Sequence, residues 1–444
     1  MDIYFCNIGS LSLIDYKYTS IECKNIEDRM LKKWIILYNE DIFYLGFISQ
    51  VDTHEIVVKC VLSDFNYIRL NIDQQFNHVH TDKLKIYDIS KYIGDYNFGV
   101  IPIKNIGDYI DYISAFTTDK NLLYRGIPDQ NYRLQPSVFR KCYSEDKESK
   151  MYKELRKKGL LESKAEKGLL DMVVEMQHIG IPTRLLDWSS NPLVSLFFAV
   201  SGIYESKKDA YVYVHIPSQI FSFLDKEYGY ISRILEDQFQ IEPLNPTIDD
   251  EVYTLMYKLM KDKVNHIFIE SQYQNARVEA QDGYFSALIT PKQKHITVIK
   301  SKILQGLKLS EGLTSELMKT NFKGKNKQEI IDFLKTLLDK EEILNRPEIP
   351  YNQRKILLSL VNRYKVEDIY ERLEENKFFD LYLDSSYDYV IELSSNTFKF
   401  SISRDDKVII RKQLDKLGIN HKNIYPDNEG FILHLKDKFE EKVI

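Results

Sequence analysis

The segment from residue 177 to residue 199, QHIGIPTRLLDWSSNPLVSLFFA, constrains the fold of this chain more than any other stretch. It places His178, Arg184, Asp187 and Trp188 beside a Gly-Ile-Pro turn and ahead of a nearly all-apolar run that has to be buried. Such a mixture of ionisable and apolar side chains favours a polar pocket over a plain core. We therefore expect the functional site to form here.

A second informative segment, LLYRGIPDQNYRLQPSVFR, ends about forty residues earlier, at Arg140. Its apolar start predicts a strand that ends with Arg125 between Tyr124 and Gly126. A glycine at this point lets a ligand approach the backbone, and a guanidinium binds the oxygens of a diphosphate or carboxylate in pairs. The alternative is a structural ion pair of Arg125.

Two interpretations of the segment from 177 to 199 remain open. In the first, His178 or Thr183 reaches a ligand and Trp188 forms a wall of its pocket. In the second, Arg184 and Asp187 form a buried ion pair, and His178 is a core histidine.

A third segment, QYQNARVEAQDGYFSALI at residues 272–289, carries Glu279 and Gln281 before an Asp-Gly turn signal and a predicted strand. Two residues apart on an extended chain, both side chains would face the same side. Such a pair could bind a ribose hydroxyl. A solvated strand end is the alternative interpretation.

Composition excludes several classes of protein. The chain has 444 residues, 43% of them hydrophobic, and a net charge of −5, so no basic field favours nucleic acid or membrane binding. Its four cysteines lie far apart, which predicts free thiols and no metal site. The start lacks a basic leader and no apolar run is long enough to span a bilayer, so we expect a cytoplasmic protein.

The sequence predicts an α+β protein of several parts. Residues 1–95 are rich in β-branched and aromatic residues and predict a small β-rich module. The part that carries the three segments is expected at 105–299 and again at 396–444, with a helical insertion at 300–395. Within the insertion, Asn326 followed by Glu329 predicts a capped helix start, and a further helix is predicted over 354–365.

Together, the segments resemble the FRG domain family, which is named for its (F/Y)RG motif. The matches are YRG at 124–126, L-x-PSVFR at 134–140, the whole segment 177–199, NARVEAQDGYF at 275–285 and a closing element, LDKLGINHKNIYPDNEGF, at 414–431. The order of these motifs is similar to that of the Arg-Ser-Glu class of ADP-ribosyltransferases. The resemblance implies an ADP-ribosyltransferase-like split mixed β-sheet with helices.

The same resemblance implies catalytic roles for four residues. Arg125 would hold the diphosphate of NAD, the substrate, Thr183 would help to frame the nicotinamide, and Gln281 or Glu279 would hold the ribose. The predicted NAD-binding residues are Tyr124, Arg125, Gly126, His178, Arg184, Asp187 and Trp188. Because Gln281 is neutral where a carboxylate would serve best, Glu279 or Asp187 would have to supply the charge.

The implied function is NAD-dependent ADP-ribosylation of a protein or nucleic acid by a bacterial toxin or anti-phage defence effector, with a neutralising or activating partner protein. A non-catalytic sensor of NAD or another nucleotide is one alternative. NAD glycohydrolysis, in which water takes the place of the macromolecule, is the other.

Overall fold

The computed structural model describes the six N-terminal strands given below and most of the chain from residue 100 onwards. The described ranges of this second part are 100–114, 121–140, 144–161, 168–201, 208–262, 264–270, 276–307, 309, 311–345, 366–381, 391 and 397–440. The helix predicted over 354–365 lies outside the described residues.

The described residues before position 99 form one six-stranded sheet. Its strands are β1 (Asp2–Asn7), β2 (Tyr18–Glu22), β3 (Trp34–Asn39), β4 (Ile42–Val51), β5 (Glu55–Ser63) and β6 (Lys85–Asp88). They lie in the order β2-β5-β4-β3-β1-β6, with β1 parallel to β3 and the other pairs antiparallel.

A second, eight-stranded mixed sheet carries the three segments singled out above. Its strands are β7 (Val100–Pro102), β8 (Leu123–Ile127), β9 (Leu185–Ser189), β10 (Ala210–His215), β11 (Ile220–Ser222), β12 (His266–Glu270), β13 (Gly283–Leu288) and β14 (Thr397–Ile402). Their order is β11-β12-β13-β9-β8-β10-β14-β7. The molecule is thus a mixed α and β structure, as predicted.

The eight-stranded sheet splits between β8 and β9. These strands share one residue pair, Tyr124 with Ser189, whereas β8 pairs with its other neighbour, β10, along its whole length from Leu123 to Ile127. Beyond that single pair the two strands diverge, and a fork opens in the sheet. Arg125 on β8 and Asp187 on β9 both lie beside this fork.

The described residues also form fourteen helices. They are α1 (Ile106–Ser114), α2 (Glu145–Lys157), α3 (Leu169–His178), α4 (Pro192–Val200), α5 (Lys226–Gln238), α6 (Asp250–Lys261), α7 (Ala276–Ala280), α8 (Gln293–Gly306), α9 (Glu311–Lys319), α10 (Lys327–Asn345), α11 (366–375), α12 (Arg404–Lys416), α13 (His421–Ile424) and α14 (Asn428–Glu440). Within the described segments, none of these helices has both the length and the apolarity that a membrane span requires.

Helix α4 begins as its sequence predicts. The Asn191 side chain accepts hydrogen bonds from the backbone N–H groups of Leu193 and Val194 at 3.0 and 3.4 Å, and Pro192 is the first helical residue. Phe197 on this helix is fully buried. The apolar run predicts a helix from Leu193 to Ile203 with Ser189, Ser190 or Asn191 as its cap. The helix ends earlier, at Val200, because Ser201 adopts an extended backbone.

The apolar spacing of residues 147–178 is helical, and the structure forms two helices in this region, α2 and α3. Gly159 has a φ of +67°, and Leu160 N–H reaches back to the Leu155 carbonyl at 3.0 Å. A left-handed glycine with such a bond ends an α-helix. Helix α3 therefore starts afresh at Leu169.

The helices between α8 and α11 pack on one another through a shared core that contains Leu317, Leu334, Leu373 and Phe378. The capping box predicted for α10 is confirmed. Glu329 N–H donates to Asn326 Oδ1 at 3.0 Å, and Asn326 N–H donates to Glu329 Oε2 at 2.7 Å. The chain then returns to the eight-stranded sheet as β14, between β10 and β7.

Candidate functional site

A cavity of about 360 Å³ lies at the fork between β8 and β9. Three parts of the chain build it: β8 with the residues that follow it, the region from α3 to α4, and a late region that includes α7 and the end of α13. Its lining residues are Tyr124, Arg125, Gly126, Pro128, Gln177, His178, Asp187, Trp188, Ser189, Ser195, Phe198, Ser201, Arg277, Gln281 and Tyr425.

Arg125 is the cation of β8 at this cavity. Its Nη1 donates to the backbone carbonyl of Asp187 and lies 3.9 Å from Asp187 Oδ2. Its Nε is buried without a hydrogen-bond partner among the described residues. Burial lowers the pKa of Arg125, and nearby Asp187 partly opposes that effect. Because a buried donor without an acceptor is costly, this nitrogen marks a position for a ligand acceptor.

Gly126 has a packing role that the sequence interpretation did not foresee. A side-chain carbon at this position would lie 1.9 Å from the Ser195 carbonyl oxygen and 2.5 Å from the Ala199 nitrogen. The backbone of α4 therefore occupies the space that the sequence argument assigned to a ligand. Gly126 lines the cavity, but packing of β8 against α4 is what excludes a larger residue.

Asp187 supplies a carboxylate to the cavity wall. Its side chain is 55% exposed, and its Oδ1 accepts a hydrogen bond from Gln177 Nε2 at 2.9 Å. The predicted ion pair between Asp187 and Arg184 is wrong, since Asp187 faces Arg125 instead.

Arg184 is fully buried and does not line the cavity. Its Nε and Nη2 donate to Glu148 Oε2 at 2.9 and 2.7 Å, and its Nη1 donates to Gln238. A buried guanidinium needs paired acceptors, and Glu148 on α2 provides them. The structure therefore places Arg184 in the core and not among cavity-lining residues.

Thr183 is also fully buried and outside the cavity lining. Its hydroxyl donates to Gln177 Oε1 and accepts a hydrogen bond from Leu185 N–H at 3.3 Å. Thr183 therefore contacts the cavity through Gln177 and not directly, in contrast to its predicted place beside the nicotinamide.

His178, the last residue of α3, lines the cavity with a buried Nε2 that has no hydrogen-bond partner among the described residues. Its ring meets Phe285 edge-on at 5.8 Å between ring centres. Burial lowers the pKa of His178, while the charge of Asp187 opposes the shift. The neutral ring that results can donate or accept a hydrogen bond at Nε2, depending on the tautomer.

Trp188 borders the cavity, but its indole is committed elsewhere. The indole N–H donates to Ser286 Oγ at 2.8 Å, and the ring packs edge-on against Phe268 at 5.4 Å. The side chain is 2% exposed. Successive residues of a strand point to opposite faces of the sheet. Trp188 therefore packs mainly in the core, on the face opposite to that of its neighbour Asp187.

Glu279 and Gln281 do not lie on one extended segment, so that expectation is wrong. Residues Ala276–Ala280 form α7, and Gln281 N–H donates to the Arg277 carbonyl at 3.1 Å. The helical turn sends Glu279 outwards, where it is exposed and outside the cavity lining. Gln281 does line the cavity, and its Nε2 donates to the Ile424 carbonyl at 3.2 Å.

Eight lining residues were not assigned to the site by the sequence analysis, and three of them, Gln177, Arg277 and Tyr425, bring polar groups from three different segments. The Arg277 guanidinium lies 5.2 Å from the centre of the Tyr425 ring, donates to Asp427, and donates to Glu429 Oε2 at 2.7 Å. These two carboxylates pair with the Arg277 guanidinium and offset much of its positive charge. Burial raises the pKa of Tyr425 to about 12, so its hydroxyl stays protonated.

Gln177, Arg277 and Tyr425 each lie inside one of the motifs that the sequence analysis had already identified. Their contacts with the cavity depend on pairings between distant parts of the chain, which no local pattern encodes. Among the described residues, no cluster of three or more His, Cys, Asp or Glu side chains could hold a metal ion.

The fold and the cavity define a class: a mixed α and β protein with a polar, ligand-sized cleft at a split in its sheet. Residues 120–208 match the family model of the FRG domain. The chain therefore contains an FRG domain, which contributes Arg125, Gln177, His178 and Asp187 to the cavity. No curated protein and no solved structure matches this chain.

Proposed function

We propose that the cavity binds NAD and that the protein transfers its ADP-ribose group to a macromolecule. One observation carries the proposal: two buried polar atoms without partners, Arg125 Nε and His178 Nε2, line the same cavity as the Asp187 carboxylate. The cation can bind phosphate oxygens, the ring nitrogen can bond to a ribose or phosphate oxygen, and the carboxylate can accept a hydrogen bond from a ribose hydroxyl.

The size of the cavity supports a part of NAD as its occupant. A volume of about 360 Å³ lies near the lower end for small-molecule sites. It suits the nicotinamide ribose and its phosphate better than a whole dinucleotide. Arg125 would bind the diphosphate, with His178 and Gln281 available to ribose or nicotinamide.

Asp187 is the carboxylate best placed to assist bond cleavage. In the proposed reaction, the bond between ribose C1 and the nicotinamide nitrogen breaks, and its electron pair leaves with nicotinamide. The ribose becomes cationic until a nucleophile of the acceptor bonds to C1 and loses its proton to solvent. A fixed carboxylate stabilises such a charge, whereas Gln281 is neutral and Glu279 lies outside the cavity lining.

The neutral Gln281 favours one other function, a sensor that binds NAD or another nucleotide without cleaving it. Its amide already donates to the Ile424 carbonyl, which is consistent with a structural and ligand-binding role. Glycohydrolysis differs from the leading proposal only in its acceptor, which would be water. The acceptor class, protein or nucleic acid, and the setting of a bacterial toxin or anti-phage effector come from family resemblance alone.

The test is to incubate the purified protein with NAD labelled on its adenylate half, in the presence of a cell lysate. Nicotinamide release is followed together with label on protein, RNA and DNA. Asp187→Asn removes the proposed stabilising charge, and Glu279→Gln is the matched control because it removes an exposed carboxylate from the same region.

We expect nicotinamide release and label on one class of macromolecule, with turnover lost in Asp187→Asn and kept in Glu279→Gln. Free ADP-ribose without labelled macromolecule identifies a glycohydrolase. NAD binding without nicotinamide release, in the presence of lysate, rejects transfer and supports the sensor.

A further inference from the structure

A line of hydrogen bonds connects the core to the cavity carboxylate. The buried Thr183 hydroxyl donates to Gln177 Oε1, and Gln177 Nε2 donates to Asp187 Oδ1 at 2.9 Å. Gln177 is half-buried and lines the cavity between its two partners. The three side chains all come from the segment QHIGIPTRLLD, within 11 residues of one another.

The chemistry of the three groups permits one orientation of the Gln177 amide. An ionised carboxylate only accepts hydrogen bonds, so the amide must present its N–H to Asp187. The amide oxygen then faces Thr183, which must donate its only hydroxyl proton. That hydroxyl still accepts from Leu185 N–H at 3.3 Å, so donor and acceptor alternate along the line without conflict.

Thr183 is itself held on both sides of its peptide group. Its N–H donates to Ser137 Oγ at 3.1 Å, and its carbonyl accepts from Ser137 Oγ at 3.3 Å and from Val138 N–H at 3.2 Å. The PSVFR motif that contains Ser137 and Val138 thereby anchors the far end of the line. Two sequence motifs are joined here by polar contacts to a buried residue.

We propose that Gln177 is a positioning residue that orients the Asp187 carboxylate toward the reacting ribose, with Thr183 fixing the orientation of Gln177. This inference rests on the proposed function, since it assigns Gln177 to the reaction at Asp187. Asp187 is 55% exposed and sits on a strand next to the fork. Without a second contact on Oδ1, its carboxylate would rotate into solvent and would lie in the productive orientation for a smaller fraction of the time.

The kinetic test compares Gln177→Leu and Thr183→Val with wild type, in the nicotinamide release assay. Both variants should lower kcat on the order of 10- to 100-fold with little change in KM, because misplacement of a reacting group costs rate more than binding. Thr183→Ser, which keeps the hydroxyl, should recover most of the kcat that Thr183→Val loses.

Gln328→Leu is the matched control. Gln328 also donates to a carboxylate, Asp332 Oδ1, at 2.9 Å, but on the exposed surface of α10. Its loss should leave kcat and KM unchanged. Wild-type kcat in Gln177→Leu and Thr183→Val, together with lost turnover in Asp187→Asn, overturns the positioning role and leaves the proposed function standing.

A second measurement does not depend on turnover. In ¹⁵N-labelled protein, the Gln177 side-chain amide signal, assigned by its absence in Gln177→Leu, should move in Asp187→Asn and in Thr183→Val. An unmoved signal in both variants overturns the inference even if the enzyme is active. Absence of nicotinamide release from wild type, with the signal moving as expected, rejects the proposed function and with it the role of Gln177 in a reaction.

Discussion

Two arginines of the FRG domain lie close to the same strand, β9, and meet opposite environments. Arg184 is fully buried, and Glu148 and Gln238 accept hydrogen bonds from three of its nitrogens. Arg125 is 17% exposed, and its Nε has no hydrogen-bond partner among the described residues. We call the Arg184 site closed, because the protein itself accepts its hydrogen bonds, and the Arg125 site open, because one of its donors remains for a ligand.

This difference separates structural polar groups from functional ones. A buried charge whose hydrogen bonds are all made within the protein contributes to folding and has no capacity left for a ligand. A buried donor without an acceptor is a cost that binding can remove. Residue type alone does not distinguish Arg125 from Arg184, whereas their hydrogen-bond partners do.

The largest effect is expected at the closed site. Arg184→Ala leaves Glu148 buried without its partner, which should cost about 3–5 kcal/mol of unfolding free energy. Urea denaturation followed by circular dichroism measures this. Replacing both residues, Arg184→Met with Glu148→Leu, should recover much of the loss; equal instability of the double and single variants would contradict the assignment of the cost to an unpaired charge.

At the open site, the effect should fall on binding. Arg125→Ala should weaken NAD binding by about 1.5–3 kcal/mol, since it removes a charge-assisted hydrogen bond to the ligand. Calorimetric titration with NAD measures the affinity, and Arg404→Ala serves as an exposed arginine control. Unaltered NAD affinity in Arg125→Ala would remove the distinction between the two arginines.

Gly126 tests whether the open site depends on the packing behind it. Gly126→Ala would place a methyl group against the backbone of α4, which should cost about 1–3 kcal/mol of unfolding free energy. The control is Gly229→Ala on the exposed side of α5, where no atom lies within 4 Å of the new carbon. That change should stabilise the protein by about 0.5–1 kcal/mol. Equal effects of the two substitutions on thermal unfolding would show that β8 and α4 can move apart.

The smallest effect concerns pH. The folded protein lowers the pKa of His178 from 6.5, chiefly by burial, so the unfolded chain takes up the proton first as pH falls. The stability that the neutral ring provides is complete above pH 6.5 and is lost as pH falls from there through the lowered pKa. The slope is at most about 1.4 kcal/mol per pH unit. Urea unfolding across this range should show a shallower pH dependence in His178→Gln, and identical slopes would contradict the prediction.

Local patterns predicted much of the fold around the site. The strand LLYRG, a helix cap at Ser189, Ser190 or Asn191 with Pro192 in the first turn, and the Asn326 capping box are each set by neighbours within four residues. The structure confirms all three. The FRG domain itself was also recognisable from its motifs, as the family match over 120–208 shows.

Long-range contacts were less predictable. Arg184 pairs with a glutamate 36 positions away rather than with Asp187, three positions on. Gln281 reaches the carbonyl of Ile424, 143 positions along the chain. An arginine in a buried segment indicates that a hydrogen-bond acceptor must lie nearby, but the sequence does not identify that acceptor. The helical conformation of α7, which directs Glu279 towards solvent, likewise depends on contacts with the surrounding fold.

Tyr425 forms part of the cavity wall and lies three hundred positions after Arg125 in the chain. Strand β14 completes the sheet between β10 and β7 only from residue 397 onwards. During synthesis, the cavity is therefore complete only after residue 425 has left the ribosome. Until then the nascent chain carries Arg125 and Asp187 without this wall. A ligand that contacts this wall can therefore bind only after the late region of the chain has been made and folded.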